Sequence, residues 1–158
     1  MVKTYIGEEI EKHMPDVNGL PDVNNLPKGI KLTMQQAFEI MVTGLLRQGV
    51  KSGYLDEMDS RFFNCKYRGW EGTKCAIGFI IPDDIYDTKY EGSSVSQIHS
   101  LLPLEMIYDN GHANFEMERF LDDMQDIHDD SEIETWFAHF VTVGRTYHLD
   151  MNFMDALK

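Results

Sequence analysis

The stretch NCKYRGWEGTKCAIGFIIPDD, residues 64–84, holds the only two cysteines of the chain on either side of a glycine-rich turn. Aromatic and β-branched residues flank Arg68-Gly69-Trp70-Glu71-Gly72-Thr73. That pattern predicts a β-hairpin joining residues 62–67 to residues 74–81. Its register decides where the cysteines point, because side chains alternate along a strand. A loop of Gly69, Trp70 and Glu71 sets Cys65 across from Cys75. A tighter loop of Trp70 and Glu71 alone sets Cys65 against Ala76. A third option turns the chain into a helix at Cys75, with Ala76 and Gly78 permitting it and Pro82 ending it.

Outward from this stretch the pattern is helical. Thr33 with Gln36 forms a capping box for a helix over residues 34–48. Met34, Ala37, Phe38, Met41, Leu45 and Leu46 give that helix one apolar face, and Gly49 suits its C-terminal stop. A second helix spans 115–129, with Phe115, Phe120, Leu121, Met124, Ile127 and His128 near one face. Ser131 with Glu134 makes another capping box, opening a helix over 132–147 with Ile133, Trp136, Phe137, Phe140, Val141 and Tyr147 inward. Shorter elements are expected at 82–90 and 96–102, and a turn at Asp109-Asn110-Gly111. No strand–helix alternation of the doubly wound kind is present. The expected fold is α+β, mostly α: three main helices packed with a small hairpin.

Before Thr33 the character changes. Pro15-Asp16-Val17-Asn18-Gly19-Leu20 is nearly repeated as Pro21-Asp22-Val23-Asn24-Asn25-Leu26. Turn-forming residues dominate, and two copies of six residues are too short for a solenoid. Residues 1–32 therefore read as an arm, with a short helix at 5–14 and an irregular Pro/Asn-rich segment at 15–29. The arm either wraps the domain through Val17, Leu20, Val23 and Leu26 or serves as a linker. Residues 33–158 read as a single globular domain.

Composition bounds the function. The 158 residues are 42% hydrophobic and 26% charged, a globular balance for one domain of modest core. No apolar run approaches the ~20 residues of a membrane-spanning helix. The N-terminal MVKTYIGEEIEKHM lacks the apolar core of a secretory signal. A cytoplasmic location and free thiols follow. The net charge of −13, from 27 acidic against 14 basic residues, opposes direct nucleic-acid binding and docking on anionic membranes. It favours solubility and a host protein partner with a basic surface.

Four constellations carry possible chemistry. Cys65 and Cys75 are separated by nine residues, and no His-x3–5-His pair follows, so zinc-ligand spacing is missing and neither metal nor cofactor is expected. A cysteine nucleophile at Cys75 is the second: a helix start there lowers a thiol pKa, and His128 with Asp129 supplies a base and its orienting carboxylate. The bland alternative is a satisfied core histidine and a small buried cysteine. The third is an anionic-ligand site near the hairpin, with Tyr67 and Arg68 beside the stacking face of Trp70. The fourth is the acidic band from Asp109 to Glu134, ten carboxylates with Arg119 as the one Lys or Arg. It includes Asp122, Asp123, Asp126 and Asp130, and reads either as a solvated helix face or as a docking surface for a basic groove.

The run Cys65-x-Tyr67-Arg68, Gly72-x-Lys74-Cys75-Ala76-x-Gly78-x-x-Ile81, Glu91-Gly92 and Ile127-His128-Asp129 resembles a group of small proteins of phages and bacteria. The resemblance covers roughly residues 33–149, and it carries no activity. It implies a phage or mobile-element accessory protein of the kind that binds host factors. The leading expectation is a non-enzymatic, acidic accessory protein that binds and modulates a host macromolecule in the host cytoplasm. A cysteine-dependent hydrolase or transferase using Cys75 and His128, and a small anionic-ligand binder, are the alternatives.

Overall fold

A computed structural model describes residues 20–55, 58, 63–105, 108–109, 112–113 and 115–158. The expected helix at 5–14 and residues 15–19 of the near-duplication lie outside the described residues. Helix α1, Met34–Gln48, begins where the capping box places it. The Thr33 hydroxyl accepts from Gln36 N at 3.1 Å, and the Gln36 side chain accepts from Thr33 N at 3.0 Å. The helix ends at Gly49, whose φ of 65° is a left-handed cap that costs glycine little. The other α-helices among the described residues are α2, Val95–Ile98; α3, Phe115–Asp130; and α4, Trp136–Thr146.

The domain is mostly helical, as the sequence predicts. Phe38, Met41 and Leu45 of α1, Phe120, Leu121 and Met124 of α3, and Trp136 and Phe140 of α4 are fully buried in one core. Edge-to-face packing of Phe38 on Phe120 and on Phe153 joins α1 to α3 and to the C-terminal 3-10 turns. Among the described residues, no helix is long and apolar enough to cross a membrane.

The hairpin expected between 62–67 and 74–81 does not form as a ladder. Strand β1, Gly53–Leu55, takes β2, Phe63–Cys65, as its antiparallel partner, with Gly53 opposite Cys65. The second arm of the expected hairpin retains one bridge, Arg68 to Lys74, and then winds into a 3-10 helix at Ile77–Ile80. Burial explains the change. Cys75, Ala76, Ile77 and Ile80 are all inaccessible to solvent, and a helical turn directs this apolar run into the core, which an alternating strand would split between two faces. The Arg68–Lys74 pairing also sets Cys75 opposite Tyr67, so neither expected cysteine register is realised. A second short pair, β3 at Tyr108–Asp109 and β4 at His112–Ala113, flanks the turn expected at 109–111.

Three local expectations are corrected. Periodicity places Phe115 near the apolar face of its helix and Ile133 inward, yet Phe115 is 72% exposed and Ile133 is also exposed. Ser131 does not cap α4. A 3-10 turn at Ile133–Thr135 leads into the helix, and no side-chain cap is present at its start. The arm is not wholly irregular either: Asp22 caps a 3-10 turn at Val23–Asn25. Within the described part, the arm wraps the domain. Val23 and Leu26 pack on the core, and the Asn24 side chain exchanges two hydrogen bonds with Asp83. Leu32 bridges Leu104.

Candidate functional site

The side chains capable of chemistry converge at the C-terminal end of α3. Three neighbouring segments meet there: the linker after α1, the end of β2, and the Trp70 turn. Ser52 joins them. Its N–H donates to His128 Nε2 at 2.9 Å, and its hydroxyl donates to the carbonyls of Lys66 at 2.9 Å and Thr73 at 3.2 Å. Its own carbonyl accepts from Lys66 N. Gln48, the last residue of α1, matches both backbone polar groups of Lys74, at 2.9 Å and 2.8 Å. Gln125 reaches from α3 to accept from Ile77 N at 3.2 Å.

Cys65, His128 and Asp129 form the reactive cluster of this region. One ligating atom of each lies within 4.8 Å of the others. His128 Nδ1 is 2.7 Å from Asp129 Oδ1, and Gln125 Nε2 donates to the same oxygen at 2.9 Å. Lys51 Nζ donates to the Asp129 carbonyl at 3.1 Å. The thiol of Cys65 lies beside the Asp129 carboxylate. The expected neighbour of His128 was Cys75. The β1–β2 pairing and the Ser52 knot bring Cys65 there, and the 3-10 turn draws Cys75 into the core.

Hydrogen bonding fixes what this cluster can do. A backbone N–H can only donate, so Nε2 of His128 is the accepting lone pair and the proton sits on Nδ1, facing Asp129. Metal coordination by Nδ1 would require loss of that proton, and coordination by Nε2 would require displacement of the Ser52 amide. The donor types suit zinc, but the tautomer does not. His128 is fully buried with both ring nitrogens engaged, a satisfied core histidine. The Cys65 thiol is pushed up to about 12, first by burial and then by the Asp129 charge. Cys75 is fully buried, accepts from Gly78 N at 3.4 Å, and is raised further, again by burial first. Both sulfurs are protonated near neutral pH, and a thiol is a poor nucleophile.

Tyr67, Arg68 and Trp70 do not converge on a common pocket. Tyr67 is buried, and its hydroxyl donates to the Ser93 carbonyl. Arg68 Nη2 donates to the Ile81 carbonyl at 2.9 Å and pairs with Asp83 at 2.6 Å, while the guanidinium lies 4.4 Å from the Tyr86 ring centroid. Glu91 holds this part together. Its carboxylate accepts from Tyr67 N at 2.9 Å, Arg68 N at 3.0 Å and the Tyr86 hydroxyl at 2.7 Å. Trp70 alone of the three faces solvent, 46% exposed.

The acidic band takes a definite shape. Glu118, Asp122, Asp126 and Asp130 recur every fourth residue along α3, which places them in one row rising about 6 Å per step. Asp122 and Asp126 have raised carboxyl pKa values, through partial burial first and then through Glu118, Asp126 and Asp123 for Asp122 and through Asp130, Asp129 and Asp123 for Asp126. Asp123, beside the row, accepts from the Tyr147 hydroxyl at 2.6 Å. No salt bridge among the described residues engages the row. The row also runs to the C-terminal end of α3, where the helix dipole disfavours anions.

Sequence reasoning missed Gln48, Ser52 and Gln125, and it quoted Glu91 in the resemblance without a role. All four are polar residues whose partners are backbone groups distant in the chain, and nothing in local periodicity marks them. No protein-family model matches the chain, and no curated protein or solved structure is significantly similar to it.

Proposed function

We propose that this is a non-enzymatic accessory protein of phage type that acts in the host cytoplasm by binding a basic host protein along the acidic row of α3. In class the fold reads as α+β, mostly α, with small strand pairs bracing the helix that carries the row. The supporting observation is the row itself, which no salt bridge among the described residues engages. Four carboxylates share one helix face, and two of them hold protons more tightly than usual, through partial burial first and then through neighbouring charges, an arrangement that costs the helix stability. Like-charge crowding of this kind is expected where a surface is shaped for a partner of opposite sign. The cysteine-enzyme reading loses support because Cys65, not Cys75, adjoins His128, and its thiol stays protonated.

The test is affinity capture from host lysate with wild-type protein and with an Asp122→Asn/Asp126→Asn/Asp130→Asn variant in parallel. A basic protein held by the wild type at low salt, released at about 0.5 M salt, and absent from the variant supports the reading. Equal recovery on both baits removes the row from the mechanism.

A further inference from the structure

His128 is satisfied only while it is neutral. Its ring is fully buried, Nε2 accepts from the Ser52 amide at 2.9 Å, and Nδ1 faces Asp129 Oδ1 at 2.7 Å. A second proton goes to Nε2, since Nδ1 already carries one. The Ser52 amide then meets a donor, and two N–H groups make no hydrogen bond with each other. A buried amide without an acceptor is costly, so the amide has to move away. The charged ring, by contrast, is held in place. The Asp129 carboxylate faces its other nitrogen, and Gln125 fixes that same oxygen at 2.9 Å. Among the described residues, the other charged or titratable groups at this position are Cys65 of β2, Lys51 of the linker on the Asp129 carbonyl, and Asp130 beyond them. Helix α4 presents the neutral Trp136 ring, its centroid 5.7 Å from that of the imidazole.

Ser52 cannot move alone. It is fully buried, its hydroxyl donates to the carbonyls of Lys66 and Thr73, and its carbonyl accepts from Lys66 N. A side chain on Gly69 would lie 2.7 Å from both the Ser52 and the Thr73 hydroxyls, so the Trp70 turn rests directly on Ser52. Thr73 closes that turn by giving its amide, at 3.2 Å, and its hydroxyl, at 2.8 Å, to the Trp70 carbonyl. One buried nitrogen in the last turn of α3 is thereby linked, through a single serine, to a tryptophan that faces solvent.

We propose that His128 is an acid-operated latch: protonation at Nε2 expels the Ser52 amide and frees the Trp70 turn, and the neutral ring holds both. A heteronuclear NMR titration of the full chain from about pH 8 to about pH 5 covers the range in which imidazole ordinarily changes charge. The His128 ring resonances and the amides of Ser52, Lys66, Gly69 and Thr73 should move together along one curve. His128→Gln keeps a side-chain acceptor but cannot titrate, and should leave those amides still. Asp129→Asn removes the carboxylate that holds the charged ring, and should carry the shared midpoint of ring and amides down by about one pH unit. It gives a second test should the glutamine variant fail to fold. A ring that does not titrate before the fold is lost overturns the proposal. So does a ring that titrates while the amides stay still, or a set of amides that still moves in His128→Gln. In Asp129→Asn, an unmoved midpoint or curves that part overturns it as well.

Discussion

Iodoacetamide added to the native protein at pH 8 should find two nearly inert thiols. The thiolate is the reacting form, and each unit of pKa above ambient pH removes a factor of ten from its population. The Cys65 thiol is raised from an ordinary 9.0 to about 12. At pH 8 its thiolate is therefore roughly a thousandfold scarcer than that of a free cysteine. Burial and the Asp129 carboxylate both oppose the negative form, so the shift is upward and labelling should quicken about tenfold per pH unit through the alkaline range. Asp129→Asn removes the charge but leaves the burial, and should recover only about a tenfold gain in rate. Cys75, fully buried, should stay unlabelled until the chain unfolds, as read in a Cys65→Ser variant. Peptide mapping by mass spectrometry assigns the sites. Labelling of either cysteine at the free-thiol rate near pH 7, lost in a His128→Ala variant, would refute the reasoning and restore the enzyme reading.

Glycine packing gives a paired comparison by urea denaturation. Gly78→Ala would set a methyl 2.0 Å from the Tyr67 carbonyl oxygen, which no rotamer can relieve, and should cost about 3 kcal/mol. Gly144→Ala meets only the Met151 side chain, at 2.4 Å, together with the Phe38 ring edge, and gains helix propensity in return. It should therefore cost less than about 1 kcal/mol, and equal losses would contradict the packing. His128→Leu leaves the buried Ser52 amide without an acceptor, so it should lose about 1–3 kcal/mol and several degrees of Tm; an unchanged Tm would refute the assigned tautomer. Asp126→Asn should stabilise the fold by a few tenths of a kcal/mol at neutral pH, by relieving repulsion from Asp122 and Asp130. Because the folded carboxyl binds its proton more tightly than the ordinary 3.8, the wild type recovers as pH falls through the raised value. The Asn advantage should then vanish below about pH 4 and in high salt, as denaturation curves across pH would show.

Much of the helical frame was legible because it obeys local rules. The Thr33–Gln36 box, the Gly49 stop and the apolar stripe of α1 are all short-range features, and each is realised. The same logic failed at Phe115 and Ile133, at the ends of helices, where periodicity continues but the core does not. The hairpin failed for a different reason. Ala76 to Ile81 is apolar in every residue but Gly78, and periodicity cannot tell a buried turn of helix from a buried strand in so short a run. The site was half legible. His128 and Asp129 were singled out together, but the choice of Cys75 over Cys65 turned on a register that depends on the distant residues Gln48 and Ser52.

Amide protons report how the pieces around Ser52 open. Among the described residues between 49 and 75 the one ladder is the three-residue β1–β2 pairing, too short to hold its amides alone. The amides of Ser52, Lys66, Tyr67, Arg68 and Lys74 end on acceptors supplied by His128, Ser52, Glu91 and Gln48, which belong to other parts of the chain. Breaking one of these bonds frees the backbone that positions the next. These protons should therefore exchange with deuterium as one cooperative unit at a shared opening free energy. The lifetime of the ordered Trp70 turn is then set at residue 52, and a Ser52→Ala exchange would shorten it without touching the tryptophan.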